Sequence, residues 1–397
     1  LVFFANLFGG SQMIPNEKLR VTLCGAGRTG HLAAILFSLN PAIDVTLYSS
    51  RSETVTAYKE NDHQLQAVMP DGQVIKTGSV RMTEAIDEAC SKADIIIITT
   101  PSHVRESLLQ RMAPILPKHK NIFVGAIPGF AGFDWLAEKT LGDAPNIVIW
   151  GMKDVPHIAF DLQPGKSVRM GGGKSQLYVA VHGREKPQYA NLLLNYLKQL
   201  YDSPITLLTD YLEITLTPGN PIMHSSVIYG LIGPWGQWHN RPFESIPCWW
   251  NDCPELGAYF LARCDRENQA LCNKAEIVLG INLSSVQPLQ QEIVAAYADS
   301  IADPRTLLSV LRTNKAYQGI PLPLISTAQS HGYIFDKQHR VFQEDIAYGL
   351  ALLVALGERL RVPTPYIREI YDWCCGYMGG SLPHPQIPMD WPIIRVK

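Results

Sequence analysis

Apolar and polar positions follow two regimes along the chain. Up to about residue 205, short apolar runs alternate with stretches of helical period. Leu19–Cys24 alternates as a strand, and His31-Leu32-Ala33-Ala34-Ile35-Leu36 opens a helix. Ile43-Asp44-Val45-Thr46-Leu47-Tyr48 reads as a second strand. Residues 93–100, ahead of Pro101, carry a continuous β-branched run, the mark of a strand buried on both faces of a parallel sheet. Residues 121–125, 146–150 and 176–181 predict further strands, with helices over 105–113 and 187–200 between them. From about residue 206 helical periodicity takes over, at 288–297, 305–312, 344–360 and 365–377. A loop-rich aromatic stretch, 234–250, precedes these helices. No internal repeat or low-complexity linker interrupts the chain.

The turn after the first strand reads Gly25-Ala26-Gly27-Arg28-Thr29-Gly30, a G-x-G-x-x-G between a strand and a helix. Gly25 permits the tight turn, Gly27 lets the backbone approach a pyrophosphate, and Gly30 lets helix and strand pack closely. Arg28 and Thr29 fall in the same turn, at a helix N-terminus whose free N–H groups and partial positive charge suit phosphate. The expectation is α/β plus all-α. A doubly wound parallel sheet of the Rossmann type would span residues 19–205, and a helical domain 206–397. Residues 1–18 would be a lead-in. Residues 1–12 read as a leader foreign to the fold, ahead of a natural beginning at Met13. The crevice between the two domains is the expected active site.

NAD sites usually end the second strand in Asp or Glu, which binds the ribose 2′-hydroxyl. Here the strand runs into Ser49-Ser50-Arg51. Hydroxyls and a guanidinium suit a 2′-phosphate, so NADP(H) is the expected cofactor, with NAD possible and with Ser50 and Arg51 as contacts. Glu53 would weaken this reading if the strand ended later.

The chain has 397 residues, with 46% hydrophobic and 18% charged residues and a formal net charge of −2. That composition is ordinary for a globular protein. It carries no basic excess for nucleic acid, and no apolar run reaches the roughly 18 residues of a membrane span. The eight cysteines contain no C-x-x-C pair, which argues against a metal site and for a reducing, cytoplasmic compartment. Cys374 and Cys375 read as buried thiols.

Candidate chemistry lies in three segments of the second half. Asn220-Pro221-Ile222-Met223-His224 heads the helical domain, where a histidine of ordinary pKa near 6.5 suits proton exchange. Later come Thr313-Asn314-Lys315-Ala316-Tyr317-Gln318-Gly319 and Arg340-Val341-Phe342-Gln343-Glu344-Asp345. Together these segments resemble the opine dehydrogenase (octopine/nopaline dehydrogenase) family, from about Leu19 to about Trp373. The resemblance implies a reductive condensation, in which an amine and an α-keto acid form an imine that NAD(P)H reduces. It implies His224 as proton donor and acceptor, Asp345 as the group orienting it, and Arg340 reaching the cofactor pyrophosphate. Asn220, Asn314 and Phe130 become candidate substrate contacts.

The chain departs from octopine-forming members at Pro128-Gly129-Phe130-Ala131-Gly132, where they carry a polar residue. Asp154 resembles an active-site aspartate of the bacterial branch that makes opine metallophores, so the amine is an amino acid or a larger amine-bearing precursor. Lys153 and His157 read as solvated loop residues. Trp235, Trp238, Trp249 and Trp250 could wall the pocket, form a dimer contact or pack the core; a homodimer is expected. A second reading is a ketopantoate-reductase-like or glycerol-3-phosphate-dehydrogenase-like reductase of a simple keto substrate, with Lys315 as its lysine. A third is an NADP-binding redox sensor without turnover.

Overall fold

The computed structural model describes residues 18–142, 144–327, 331–380, 382 and 387–392. The leader expected over residues 1–12 lies outside the described residues.

The apolar runs of the first half form strands β1 (Leu19–Cys24), β2 (Ile43–Tyr48), β3 (Leu65–Val68), β4 (Val74–Thr77), β5 (Arg81–Thr83), β6 (Ile95–Ile98), β7 (Ile122–Ala126), β8 (Ile147–Met152), β9 (His157–Gln163), β10 (Ser167–Gly173), β11 (Leu177–Val181) and β12 (Ile205–Leu207). Between them lie α1 (Arg28–Ser38), α2 (Ser52–Glu60), α3 (Ile86–Cys90), α4 (Ser102–Met112), α5 (Phe133–Leu141) and α6 (Pro187–Leu200). One sheet has the order β12-β11-β8-β7-β6-β1-β2-β5. All four residues of β6 are fully buried, as their β-branched run requires, with β1 and β7 parallel on either side. Strand order reverses between β1 and β6, so the carboxyl ends of these strands open the crevice where ligands bind in doubly wound folds.

Two features depart from the expected sheet. Strand β11 runs antiparallel to β8. A second sheet, β4-β3-β10-β9, is built from two insertions, one between β2 and β5 and one between β8 and β11. Its strands are short or largely half-buried, and so left no strong apolar run in the sequence.

The second half folds into α7 (Leu212–Thr215), α8 (Asn220–Ile232), α9 (Glu255–Leu279), α10 (Leu289–Tyr297), α11 (Leu307–Thr313), α12 (Ala351–Leu360) and α13 (Pro365–Met378). Helix α9 is 25 residues long, yet its apolar periodicity is too weak to announce it. Asp265 and Asn268 sit on its buried face and break the apolar stripe. Helices α8 and α9 cross closely at two glycines, since a Cβ on Gly230 would stand 2.3 Å from the Gly257 nitrogen. The helix expected over 344–360 divides, with Val341–Leu350 as a π-helical segment and α12 continuing from it. Wider helical turns of this kind often accompany functional side chains. Here the segment carries both Glu344 and Asp345, and both are buried.

No helix among the described residues is long and apolar enough to cross a membrane. The eight cysteines are free thiols; Cys374 is buried and Cys375 half-buried.

Candidate active site

The glycine turn is shaped by sterics at two positions. Gly25 has φ +129°, and a Cβ there would lie 2.7 Å from Thr99 Oγ1. A Cβ on Gly30 would fall 1.8 Å from the Gly25 carbonyl oxygen, so any side chain would force strand and helix apart. At Gly27 a Cβ would meet nothing within 4 Å. Gly27 caps α1 without a side-chain hydrogen bond, and the first turn holds no acidic residue. Its N–H groups are therefore open to an anion. Arg28 is exposed and Thr29 half-buried beside this opening. An open backbone cradle at a helix N-terminus fits a dinucleotide pyrophosphate.

Below the turn lies a residue with no signal in the sequence pattern. His31 is fully buried. Its Nδ1 donates to the Gly27 carbonyl at 3.1 Å, and its Nε2 accepts from the Gly165 N–H at 2.9 Å. Burial pushes its pKa down to about 4, so the ring is neutral and braces the turn.

At the end of β2, Ser49 is buried, and its hydroxyl accepts the Arg51 N–H at 3.2 Å. That bond turns the chain into α2, with Arg51 as N-cap and Glu53 in the first turn. Ser50, Arg51 and Glu53 are exposed.

The other half of the site stands on α8. Gly219 caps this helix, and Pro221 occupies its first turn, where a missing N–H is harmless. Asn220 and His224, four residues apart, share one face. His224 Nδ1 lies 2.9 Å from Asp345 Oδ2, and Asp345 is fully buried. A carboxylate accepts only, so Nδ1 carries the hydrogen and, in the neutral ring, Nε2 holds the lone pair. The His224 ring lies 4.5 Å from that of Trp249 and 5.6 Å from that of Trp250, nearly parallel to the latter. The two indoles hold the imidazole in place. Asp345 Oδ1 has no hydrogen-bond partner, and Arg340 lies 4.0 Å from it. Arg340 also stands 3.5 Å from Glu344, with about half its side chain exposed. Burial and the adjacent Arg340 lower the pKa of His339, whose Nδ1 accepts the Val341 N–H.

Contacts across the crevice join the two halves. Glu344 Oε1 accepts the Ser102 N–H at 3.0 Å and its hydroxyl at 3.2 Å, at the start of α4. Arg105, fully buried, donates to the carbonyls of Thr100, Phe130 and Pro128 and lies 4.0 Å from Glu344. Burial lowers the Arg105 pKa, and the Glu344 charge opposes that shift. Lys153 pairs with Glu292 of α10 at 3.0 Å. Between these contacts lies a cavity of about 120 Å³, bounded by Phe130 and Asp154 on the sheet side and by Asn220, Ile222 and Leu352 on the helical side.

Comparison with known proteins matches this architecture. Residues 207–378 match the alpha-helical domain of NAD/NADP octopine/nopaline dehydrogenase. Residues 20–149 match the N-terminus of NAD-dependent glycerol-3-phosphate dehydrogenase. The chain belongs to the opine dehydrogenase family. As such it is an NAD(P)-dependent oxidoreductase acting on CH–NH bonds. It is 50% identical to the uncharacterized protein y4xO of Sinorhizobium fredii, over 94% of this chain and 99% of that one. It is 28% identical to the tauropine dehydrogenase of Arabella iricolor, over 90% of this chain and 91% of that one. The structure of an octopine dehydrogenase with NADH and L-arginine shares its fold, with a TM-score of 0.80 at 23% identity over 91% of this chain and 90% of that one.

The fold brings most of the family candidates to the crevice and leaves some apart. Phe130, Asp154 and Asn220 line the cavity. Asp154 pairs with Lys174 at 2.9 Å and keeps its side chain partly exposed. Asn314 does not line the cavity: it is fully buried, and its Oδ1 accepts the Ala316 N–H, capping a short turn. Lys153 is not a solvated loop residue, since its side chain is only 9% exposed and lines the cavity. His157 is half-buried on β9, where burial lowers its pKa. Of the tryptophans, Trp249 and Trp250 flank His224, whereas Trp235 is 74% exposed and Trp238 stacks on Phe243. Glu344 lay beside a recognised residue in the sequence. Arg105 carried no signal, being one more basic residue in a polar helix.

Proposed function

We propose that this enzyme is an NADPH-dependent opine dehydrogenase that joins an amino acid, or a larger amine-bearing precursor of the metallophore type, to an α-keto acid. The observation that carries this reading is the His224–Asp345 pair at 2.9 Å, on the helix whose first turn lines the interdomain cavity. The amine nitrogen attacks the keto carbon to give a carbinolamine. Loss of water gives the imine, and hydride at its carbon with a solvent proton at its nitrogen gives a secondary amine. When bound, the nicotinamide supplies the hydride. His224 Nε2 takes the proton from the attacking amine and returns one to the departing hydroxyl. Asp345 holds the ring in its Nδ1–H form and stabilises the imidazolium. Asp154, at the cavity wall, would receive the incoming ammonium. Arg340 would exchange its carboxylate neighbours for the cofactor pyrophosphate. Ser50 and Arg51, exposed where β2 ends, would favour the 2′-phosphate.

The rival reading, reduction of a simple keto substrate with Lys315 as its lysine, is weakened because Lys315 lies exposed on a short turn. NADPH oxidation in a screen of amines against pyruvate, 2-oxoglutarate and glyoxylate tests the proposal. Oxidation should require both partners. Oxidation with the keto acid alone would install the rival, and tight NADPH binding without turnover would make the protein a redox sensor.

A further inference from the structure

The cavity beside Asn220 changes character across its walls. Lys153 is the one cation and Asp154 the one carboxylate among its described lining residues, and each is already paired, with Glu292 and Lys174 respectively. The remaining wall is mostly apolar, with Phe130, Ile222, Leu352 and Leu353 in it. Ile222, Leu352 and Leu353 are buried. Two further lining residues, Thr215 and Asn268, are also buried, and each carries a polar atom without a hydrogen-bond partner. Asn268 is 1% exposed, and its Nδ2 donates to the Leu216 carbonyl at 2.7 Å. That bond fixes which end of the amide is free: the oxygen is the acceptor without a donor.

Buried acceptors without donors are destabilising, and a ligand that supplies the donor recovers that loss. A charged side-chain terminus would find no opposite charge left for it, since Lys153 is paired with Glu292 and Asp154, paired with Lys174, is the group assigned to the reacting ammonium; burying it uncompensated is strongly unfavourable. We propose that Asn268 and Thr215 determine specificity for the amine substrate, selecting an uncharged side chain that packs its stem on Phe130, Ile222 and Leu352 and donates a terminal hydrogen bond to Asn268 Oδ1. A carboxamide side chain of glutamine length meets both conditions; an arginine, lysine or glutamate side chain does not. The inference rests on the opine dehydrogenase reading and narrows its substrate class.

The test is kcat/KM for glutamine, methionine, lysine, arginine and glutamate, each with saturating keto acid and NADPH. Glutamine should exceed methionine by about tenfold or more, the effect of one satisfied buried hydrogen bond. It should exceed the charged amino acids by about a hundredfold or more. Asn268→Leu should erase the glutamine advantage over methionine while NADPH affinity stays at the wild-type value. Thr215→Val, which leaves the Asn268–Leu216 bond alone, should narrow the same ratio by a smaller factor and serves if Asn268→Leu does not fold. Wild-type preference for arginine or lysine, or for methionine over glutamine, overturns the inference and leaves the opine dehydrogenase reading standing. No turnover with any amine and keto acid pair overturns both.

Discussion

The cofactor cradle and the His224–Asp345 pair are built in opposite ways. The cradle occupies six consecutive residues, Gly25 to Gly30, and offers backbone N–H groups and an absence of side chains. The pair joins residues 121 positions apart, held by a helix, a π-helical segment and two indole rings. A backbone site is broken by adding atoms, whereas a side-chain site is broken by removing them. The cradle should therefore fail sterically and all at once, and the pair should fail by degrees according to the chemistry each group performs.

Gly30→Val is the sharpest break on the cradle side. Its Cβ would lie 1.8 Å from the Gly25 oxygen, a contact that only separation of strand and helix can relieve. We expect NADPH affinity to fall beyond titration range, read by quenching of tryptophan fluorescence, with a lowered melting temperature. Affinity within a few-fold of wild type would show that the turn does not hold the pyrophosphate.

His224→Ala should leave NADPH affinity unchanged and lower kcat by about 10²- to 10⁴-fold, the usual contribution of general acid–base catalysis. Asp345→Asn should cost less, because it alters the orientation and charge around the ring rather than removing the proton carrier. The comparison breaks if His224→Ala retains near-normal turnover, or if Asp345→Asn is the more damaging change.

One side chain does serve the cradle, and it gives the cradle a pH dependence. The ordinary histidine pKa near 6.5 applies to unfolded His31, and in the fold it is about 4. Between these values the unfolded chain binds more protons, so stability is full above about pH 6.5 and is lost as pH falls toward 4. From pH 7 to pH 5 the contribution is about 2 kcal/mol. Urea unfolding of wild type and His31→Gln at both pH values isolates it, since Asp134 and Asp265, both buried and both pushed up by that burial, titrate alike in the two proteins. Equal pH dependence in the two would remove His31 as the responsible group.

The same contrast explains what the sequence disclosed. A local backbone motif is written contiguously, so Gly25, Gly27 and Gly30 announced the turn, and the isoleucines of β6 announced a buried parallel strand. His224 and Asp345 are unremarkable singly and became legible only through resemblance at three separated segments. Helix α9 was missed because buried Asp265 and Asn268 interrupt its stripe. The inserted sheet was missed because short, half-buried strands carry a weak alternation. The burial of Lys153 is hidden from the sequence for a related reason. Loop position argued for solvent, and the covering α10 with its Glu292 arrives from more than a hundred residues away. Contacts of that range, including Arg105 with Glu344, leave no trace in local pattern.

The smallest expected effect lies at the cradle's outer edge, where side chains take over from backbone. Arg51 caps α2 at the end of β2 and is exposed. A guanidinium on a 2′-phosphate is a charge-assisted hydrogen bond of roughly 1.5–3 kcal/mol, which corresponds to about a tenfold to hundredfold loss on removal. Solvent exposure places the expectation at the lower end. Arg51→Ala should therefore raise the KM for NADPH about tenfold and leave that for NADH nearly unchanged, because NADH presents a neutral 2′-hydroxyl at the same place. Glu53, also exposed in the first turn of α2, opposes a 2′-phosphate by charge alone. Glu53→Gln should improve NADPH binding by less than about fivefold, within the range of exposed charge pairs. A wild-type enzyme that uses NADH better, or an Arg51→Ala variant that loses both cofactors equally, would mean that the strand end reads the ribose without its phosphate.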